Sequence, residues 1–266
     1  MKKNVIFISV FLISFTTLLA EILLTRIFSA TLWYHFAFFV ISLVMFGLSL
    51  GATCLFIFKK NILKIAIKKV LYTTLLIIPI SFLPIILLVP KISFSFYFGP
   101  KIYLLILTLF LICQLPFFFV GFLMSYLFMY FNKESGKLYF FDLVGASAGA
   151  FFSVLLINYF GPINSLIFLR VVSSTALVLN SDHKKIKLSI AVLLSFLILI
   201  LINSQFNIIE ITKAKGRKMD TLFTKWNSFS MVQVYGDESS SKPGPFGWGM
   251  SPVYQGSYPP LNLICV

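Results

Sequence analysis

Acid is scarce in this chain: eight Asp and Glu stand against 22 Lys and Arg in 266 residues, a formal net charge of +14. Charged residues make up only 11% of the sequence, against about 25% in ordinary soluble domains. A chain so poor in charge cannot clothe a water-facing surface of its own size. Cysteine is nearly absent too. Cys54 and Cys113 lie in apolar runs, Cys265 is penultimate, and no C-x-x-C spacing occurs, so neither a disulfide framework nor a cysteine metal site is expected. The two histidines are no better placed. His35 follows the aromatics Trp33 and Tyr34, His183 sits in a basic loop, and neither has a second ligand at metal-binding spacing. There is no phosphate-cradling glycine loop, since Gly247-Trp-Gly249 falls in a proline-rich stretch. Nor is there a nucleophile elbow or a carboxylate pair. No catalytic, cofactor-binding or metal residue is assigned. Without a basic stripe interleaved with exposed aromatics, nucleic acid is not an expected partner.

What the chain has is apolar length. It is 59% hydrophobic, contains 32 Phe and has a mean hydropathy of +0.98. Met1-Lys-Lys-Asn followed by Val5 to Ala20 has the look of a secretory leader. The apolar stretch is long, however, and Leu18 spoils the small-x-small cleavage pattern, so an uncleaved first membrane helix is expected. Further apolar segments cover 32–58, 71–90, 102–131, 140–160, 162–180 and 188–206, each near the length of about 20 residues that spans a bilayer as a helix. The expected fold is therefore an all-α polytopic membrane protein of about seven transmembrane helices, with a short soluble tail containing β-strand. Gly161-Pro162 reads as a tight turn between two spans. Lys59 to Val70 reads as a basic amphipathic piece in the membrane interface, or as an ordinary positive loop that happens to be helical. Segment 71–90, with Pro79, Pro84 and Pro90, is the least regular crossing.

Lysines fall mostly between the apolar runs, which is the pattern of loops held at an anionic cytoplasmic face. The bilayer with its anionic headgroups is thus one partner, and the inner (cytoplasmic) membrane the expected location. Alternate loops collect Lys2, Lys3, the lysines of 59–69, Lys133, Lys137 and those of 184–187, so the N-terminus is expected inside. The cluster Lys213 to Lys218 pulls the tail to the same side, which would need an even number of spans. From 207 onward the composition changes, dividing a helical domain, 1–206, from a soluble tail, 207–266. Met231 to Tyr235 alternates as a strand does, Asp237 to Gly249 reads as a loop, and Leu263 to Val266 reads as a strand cut short.

Two small-residue faces stand out at helical spacing, Gly47 with Gly51 and Gly145 with Gly149. They are expected to pack helices closely, on each other or on their own copies in a homodimer. Four charges lie inside apolar runs: Glu21, Arg26, Asp142 and Arg170. They read either as a polar path for a charged solute or as a packing salt bridge plus interface anchors. Counted from Gly161-Pro162, Asp142 and Arg170 differ in depth by about 15 Å. Glu21 is the better expected partner for Arg170.

Three stretches together resemble the membrane-embedded spermidine synthase-like proteins of bacteria: Glu21 to Gly51, Leu138 to Ala150, and Lys225 to Val232 (KWNSFSMV). The most specific part is Trp226-Asn227-Ser228-Phe229-Ser230, at the entrance to the tail. The resemblance implies a multi-span region ahead of a soluble aminopropyltransferase-like domain. It also implies aminopropyl or related transfer, within polyamine chemistry, from an S-adenosylmethionine-type donor. Two departures accompany it. Met231 stands where the family has a basic residue, and the glycine-rich loop, ribose-binding acid and catalytic aspartate that should follow Pro259-Pro260-Leu261 have no counterparts here. A truncated, transferase-like chain without activity of its own is expected, with a small-solute transporter or a dimerising scaffold as the alternative.

Overall fold

The computed structural model describes residues 3–32, 34–92, 100–211, 213–214, 217–218, 223–235 and 263–265. The apolar runs become helices because a backbone with no water beside it must satisfy its own N–H and C=O groups. In order these are α1 (Lys3–Thr31), α2 (His35–Ile62), α3 (Ile67–Ser81), α4 (Leu83–Leu88), α5 (Pro100–Tyr130), α6 (Ser135–Leu179) and α7 (Ile186–Phe206), with a 3₁₀ turn at Val89–Lys91 completing the α3–α4 rod. Short strands follow: β1 (Lys213–Ala214) pairs antiparallel with β2 (Arg217–Lys218). A second sheet has the order β3 (Phe223–Trp226), β4 (Met231–Tyr235), β5 (Leu263–Cys265), all antiparallel. The strand expected at Met231–Tyr235 is present with those bounds, and β5 occupies the apolar stretch expected to be a strand. The loop expected over Asp237 to Gly249 lies outside the described residues.

Among the described residues, six helical segments are long and apolar enough to cross a membrane: Lys3–Thr31, His35–Ile62, Ile67–Lys91, Ile102–Tyr130, Asn132–Leu179 and Ile186–Phe206. Six such segments stand where seven were expected, because 140–160 and 162–180 belong to one helical element, α6. That element is not straight. Gly161 has φ 72° and ψ 170°, a backbone region open essentially to glycine, and Pro162 follows it. Glu134, just before α6, is ion-paired with Lys3, while Asn180, just after it, donates to Ser9 Oγ at 2.6 Å. A straight helix would hold those two positions about 69 Å apart, yet Lys3 and Ser9 are only about 9 Å apart along α1. The element therefore folds back on itself at Gly161, with a first arm from Ser135 and a second arm ending at Leu179.

This fold-back settles which groups share an end of the bundle. Lys3, Glu134, Asn180 and Ser181 lie at one end, joined there by the Lys68–Asp182 ion pair. The opposite end holds Asn158, which is hydrogen-bonded to Ser228 of the tail, and Asn203, which is bonded to Ile209. The N-terminus and the start of the tail therefore sit at opposite ends, not at the same end as the tail lysines argued, because α6, one element of the six, runs along the bundle twice.

α1 is the central staff. Leu19, Leu23, Leu24 and Ile27, spaced to share one face, have no solvent exposure, and its largest interface is with α6. It is integral to the core. The basic stretch Lys59 to Val70 forms no separate interfacial helix. Its first residues end α2, its last begin α3, and residues 63–66 make the turn between them. The proline-rich crossing is interrupted as expected. Pro84 has no N–H for the carbonyl of Ile80, and α3 gives way to α4 around Phe82.

Candidate functional site

The glycine faces come first, because they bring the helices close. Gly145 and Gly149 lie on the backbone of α1. A Cβ on either would collide with the carbonyl oxygen of Phe11 or Phe15. Gly47 and Gly51 lie on α5. A Cβ at Gly47 would be 2.9 Å from the Gln114 carbonyl, and one at Gly51 would overlap the backbone at Phe118. Gly121 of α5 returns the contact against Leu48. The two faces do not meet each other, and both are spent inside a single chain. The homodimer expected through these glycines therefore has no free glycine face to use. Gly121 was not singled out in the sequence, although Ser125 stands four residues on, because a Gly–Ser pair is a weaker signal than two glycines.

The second arm of α6 faces α3 and α7, and a polar seam follows it. At the tail end, Asn203 Nδ2 donates to Asn164 Oδ1 at 2.7 Å, while Asn203 Oδ1 accepts from Ile209 N–H at 2.6 Å. Arg170 lies further in, with 0% of its surface exposed. Its Nε donates to the Pro79 carbonyl at 2.8 Å, and its guanidinium lies 3.7 Å from the centre of the Phe196 ring. The Pro79 carbonyl is available because α3 stops at Ser81, and the last four carbonyls of a helix have no donor within it. Among the described residues neither terminal guanidinium nitrogen, Nη1 or Nη2, has a hydrogen-bond partner, and neither does Ser174 Oγ one turn on. At the far end Ser181 and Ser189 share a 2.5 Å hydrogen bond beside Tyr72.

The other three intramembrane charges are elsewhere. Asp142 accepts from Ser14 Oγ at 2.5 Å on the α1 side of the first arm, Glu21 is half-buried on α1, and Arg26 is exposed. The expected Glu21–Arg170 pair is not formed; among the described residues the ion pairs are Lys3–Glu134 and Lys68–Asp182. The reason is placement. Arg170 points between α3 and α7, whereas α1 packs on α6, α2 and α5. Asp142 and Arg170 are likewise apart, as their depths implied. Together the four line no single path.

The stretch Lys225 to Val232 forms the β3–β4 hairpin. Asn227 Oδ1 accepts from the N–H groups of Phe229 (2.8 Å) and Ser230 (2.6 Å), closing an Asx turn. Ser228 N–H donates to Asn158 Oδ1 at 2.7 Å, which ties the turn to the first arm of α6. Trp226 packs on the bundle core, and Met231, its register partner, is buried. Asn158, Asn164 and Asn203 were missed in the sequence. The available signal was an asparagine within a turn or two of the end of an otherwise apolar run.

Fold and site together define a multi-pass, membrane-type helical protein carrying a small β tail at one end. No family model, curated protein or solved structure matches the chain.

Proposed function

We propose that this chain is the membrane module of a spermidine synthase-like protein, a bundle that holds a soluble C-terminal portion at one end. The observation that carries the reading is the Asn158–Ser228 bond, which seats the hairpin bearing the family-like residues Trp226, Asn227, Ser228 and Ser230 on the bundle. Family activity would be aminopropyl or related transfer from an adenosyl-sulfonium donor of the S-adenosylmethionine type. In this reading residues 1–266 hold rather than react. Incubating the purified protein with that donor and putrescine should yield no spermidine; spermidine formed would overturn it. The lysine-rich end of the bundle faces the cytoplasm, across the inner membrane, by the positive-inside rule.

A second reading is favoured by one observation, the fully buried Arg170 with two unpartnered nitrogens. Intramembrane cations without a counter-charge are characteristic of solute sites, which makes a small-solute transporter the alternative. Uptake in proteoliposomes that is lost in Arg170→Met would support it, and no uptake by the native chain would remove it.

A further inference from the structure

At the lysine-rich end the first turn of α1 and the start of α6 enclose an open cavity of about 560 Å³. Lys3, Lys133 and Lys137 line it, and Phe7 forms an apolar wall. Phe7 itself is stacked on Phe141 at 5.4 Å, so that wall is fixed by packing. Glu134 is the single acid in the lining, and Lys3 already neutralises it. Lys133 and Lys137 are left without a carboxylate among the described residues. Lys133 belongs to the 3₁₀ turn Asn132–Glu134 and Lys137 to the first turn of α6, and both line the same cavity. Gly136 lies between them with open space around it and adds no side chain to the cavity. The apolar α1 span begins at the cavity mouth, so the site falls at the depth of lipid headgroups if the bundle crosses a bilayer as its helices are built to do.

We propose that this cavity is a binding site for a phosphate-bearing anion at the membrane face, with Lys133 and Lys137 holding the phosphate and Phe7 lying against the apolar part of the molecule. The rest of this end is also basic, but Lys64, Lys69, Lys184 and Lys187 sit on helix ends and turns outside the cavity. Diffuse attraction to an anionic surface would draw on all of them. A built site would draw on two. The proposal rests on the membrane reading but not on the spermidine synthase-like one.

The test uses the full chain reconstituted in nanodiscs. Incorporation alone checks the membrane reading, and binding is then read separately. Retained lipid is counted by native mass spectrometry after mixing phosphatidylglycerol with phosphatidylcholine, and inorganic phosphate is titrated in a parallel arm. One phosphatidylglycerol should be retained in preference to phosphatidylcholine, and Lys133→Gln with Lys137→Gln should weaken that preference by about tenfold or more. Lys184→Gln with Lys187→Gln should leave it unchanged and serves as the charge-matched control. Preference for phosphatidylglycerol without inorganic phosphate binding identifies a lipid headgroup as the source; saturable phosphate binding lost in the first variant identifies a free phosphate. Equal losses in the two variants, or no preference and no phosphate binding in the native chain, overturn the proposal.

Discussion

Arg170 reaches across from the second arm of α6 and donates its Nε hydrogen to the carbonyl of Pro79, 2.8 Å away, where α3 is about to break. One guanidinium thus covers a carbonyl that the helix break has orphaned, and in return its charge is held far from water. The arrangement leaves Nη1 and Nη2 unserved. A buried charge without a counter-charge is a stability liability.

Arg170→Met should therefore leave the fold intact and raise the thermal midpoint in detergent, corresponding to about 1–3 kcal/mol of stabilisation once the lost hydrogen bond of about 1 kcal/mol is set against it. A fall in the midpoint would mean that the Pro79 hydrogen bond and the Phe196 ring contact outweigh the cost of burying the charge.

The glycine contacts predict a graded series. Gly145→Ala and Gly149→Ala each drive a methyl into an α1 carbonyl, and should cost about 3 kcal/mol or more where the helices cannot separate. Gly136→Ala meets nothing within 4 Å and should be neutral or slightly stabilising, since it sits in a helix. The loss should appear as chain unfolding rather than as a change in oligomeric state, measured by light scattering alongside thermal melts.

Gly161→Ala separates crowding from backbone strain. There is open space around this residue, yet its φ of 72° with ψ of 170° penalises any side chain. The substitution should destabilise by about 1–3 kcal/mol through the fold-back alone. An unchanged melt would show that the arms reverse by some other conformation.

Asn158→Ala removes the acceptor for Ser228 N–H without touching the helix core. The expected result is faster proteolytic removal of the tail at an unchanged thermal midpoint of the bundle, since one hydrogen bond contributes about 1 kcal/mol. Cleavage at the native rate would mean that Trp226 packing is sufficient to hold the hairpin.

Opposite placement of the two ends can be read by labelling. Cysteines introduced at Lys184 and at Phe229, in a chain cleared of Cys54, Cys113 and Cys265, should react with an impermeant maleimide from opposite faces of a sealed vesicle. Phe229 suits the purpose because it is 82% exposed at the hairpin turn. Labelling of both from one face would contradict the fold-back of α6.

Much of the architecture is legible in one dimension, because it depends on local composition. Long apolar runs must become helices where water is excluded, alternation at Met231 to Tyr235 suits a pleated strand, and Pro84 takes a hydrogen bond out of its crossing where α3 gives way to α4. The small-residue faces were legible for the same reason, since helical spacing alone puts Gly145 and Gly149 side by side. Which helix would fill each face was not legible, because spacing within one helix carries no address for its partner. Pairing Glu21 with Arg170 by depth failed on that point: depth along a helix follows from residue number, but the direction a side chain faces among seven neighbouring rods does not.

Acid-poor composition, apolar runs and the glycine repeats are properties of the chain read residue by residue, and they suffice to make it a helical, membrane-type protein. The direction of the tail, the solitary state of Arg170 and the cavity beside Lys133 and Lys137 come from a different source. The first two depend on the fold-back at Gly161, where one backbone conformation available to glycine reverses the longest helix and brings Asn180 back to Ser9, while the cavity depends on the first arm of α6 lying along α1.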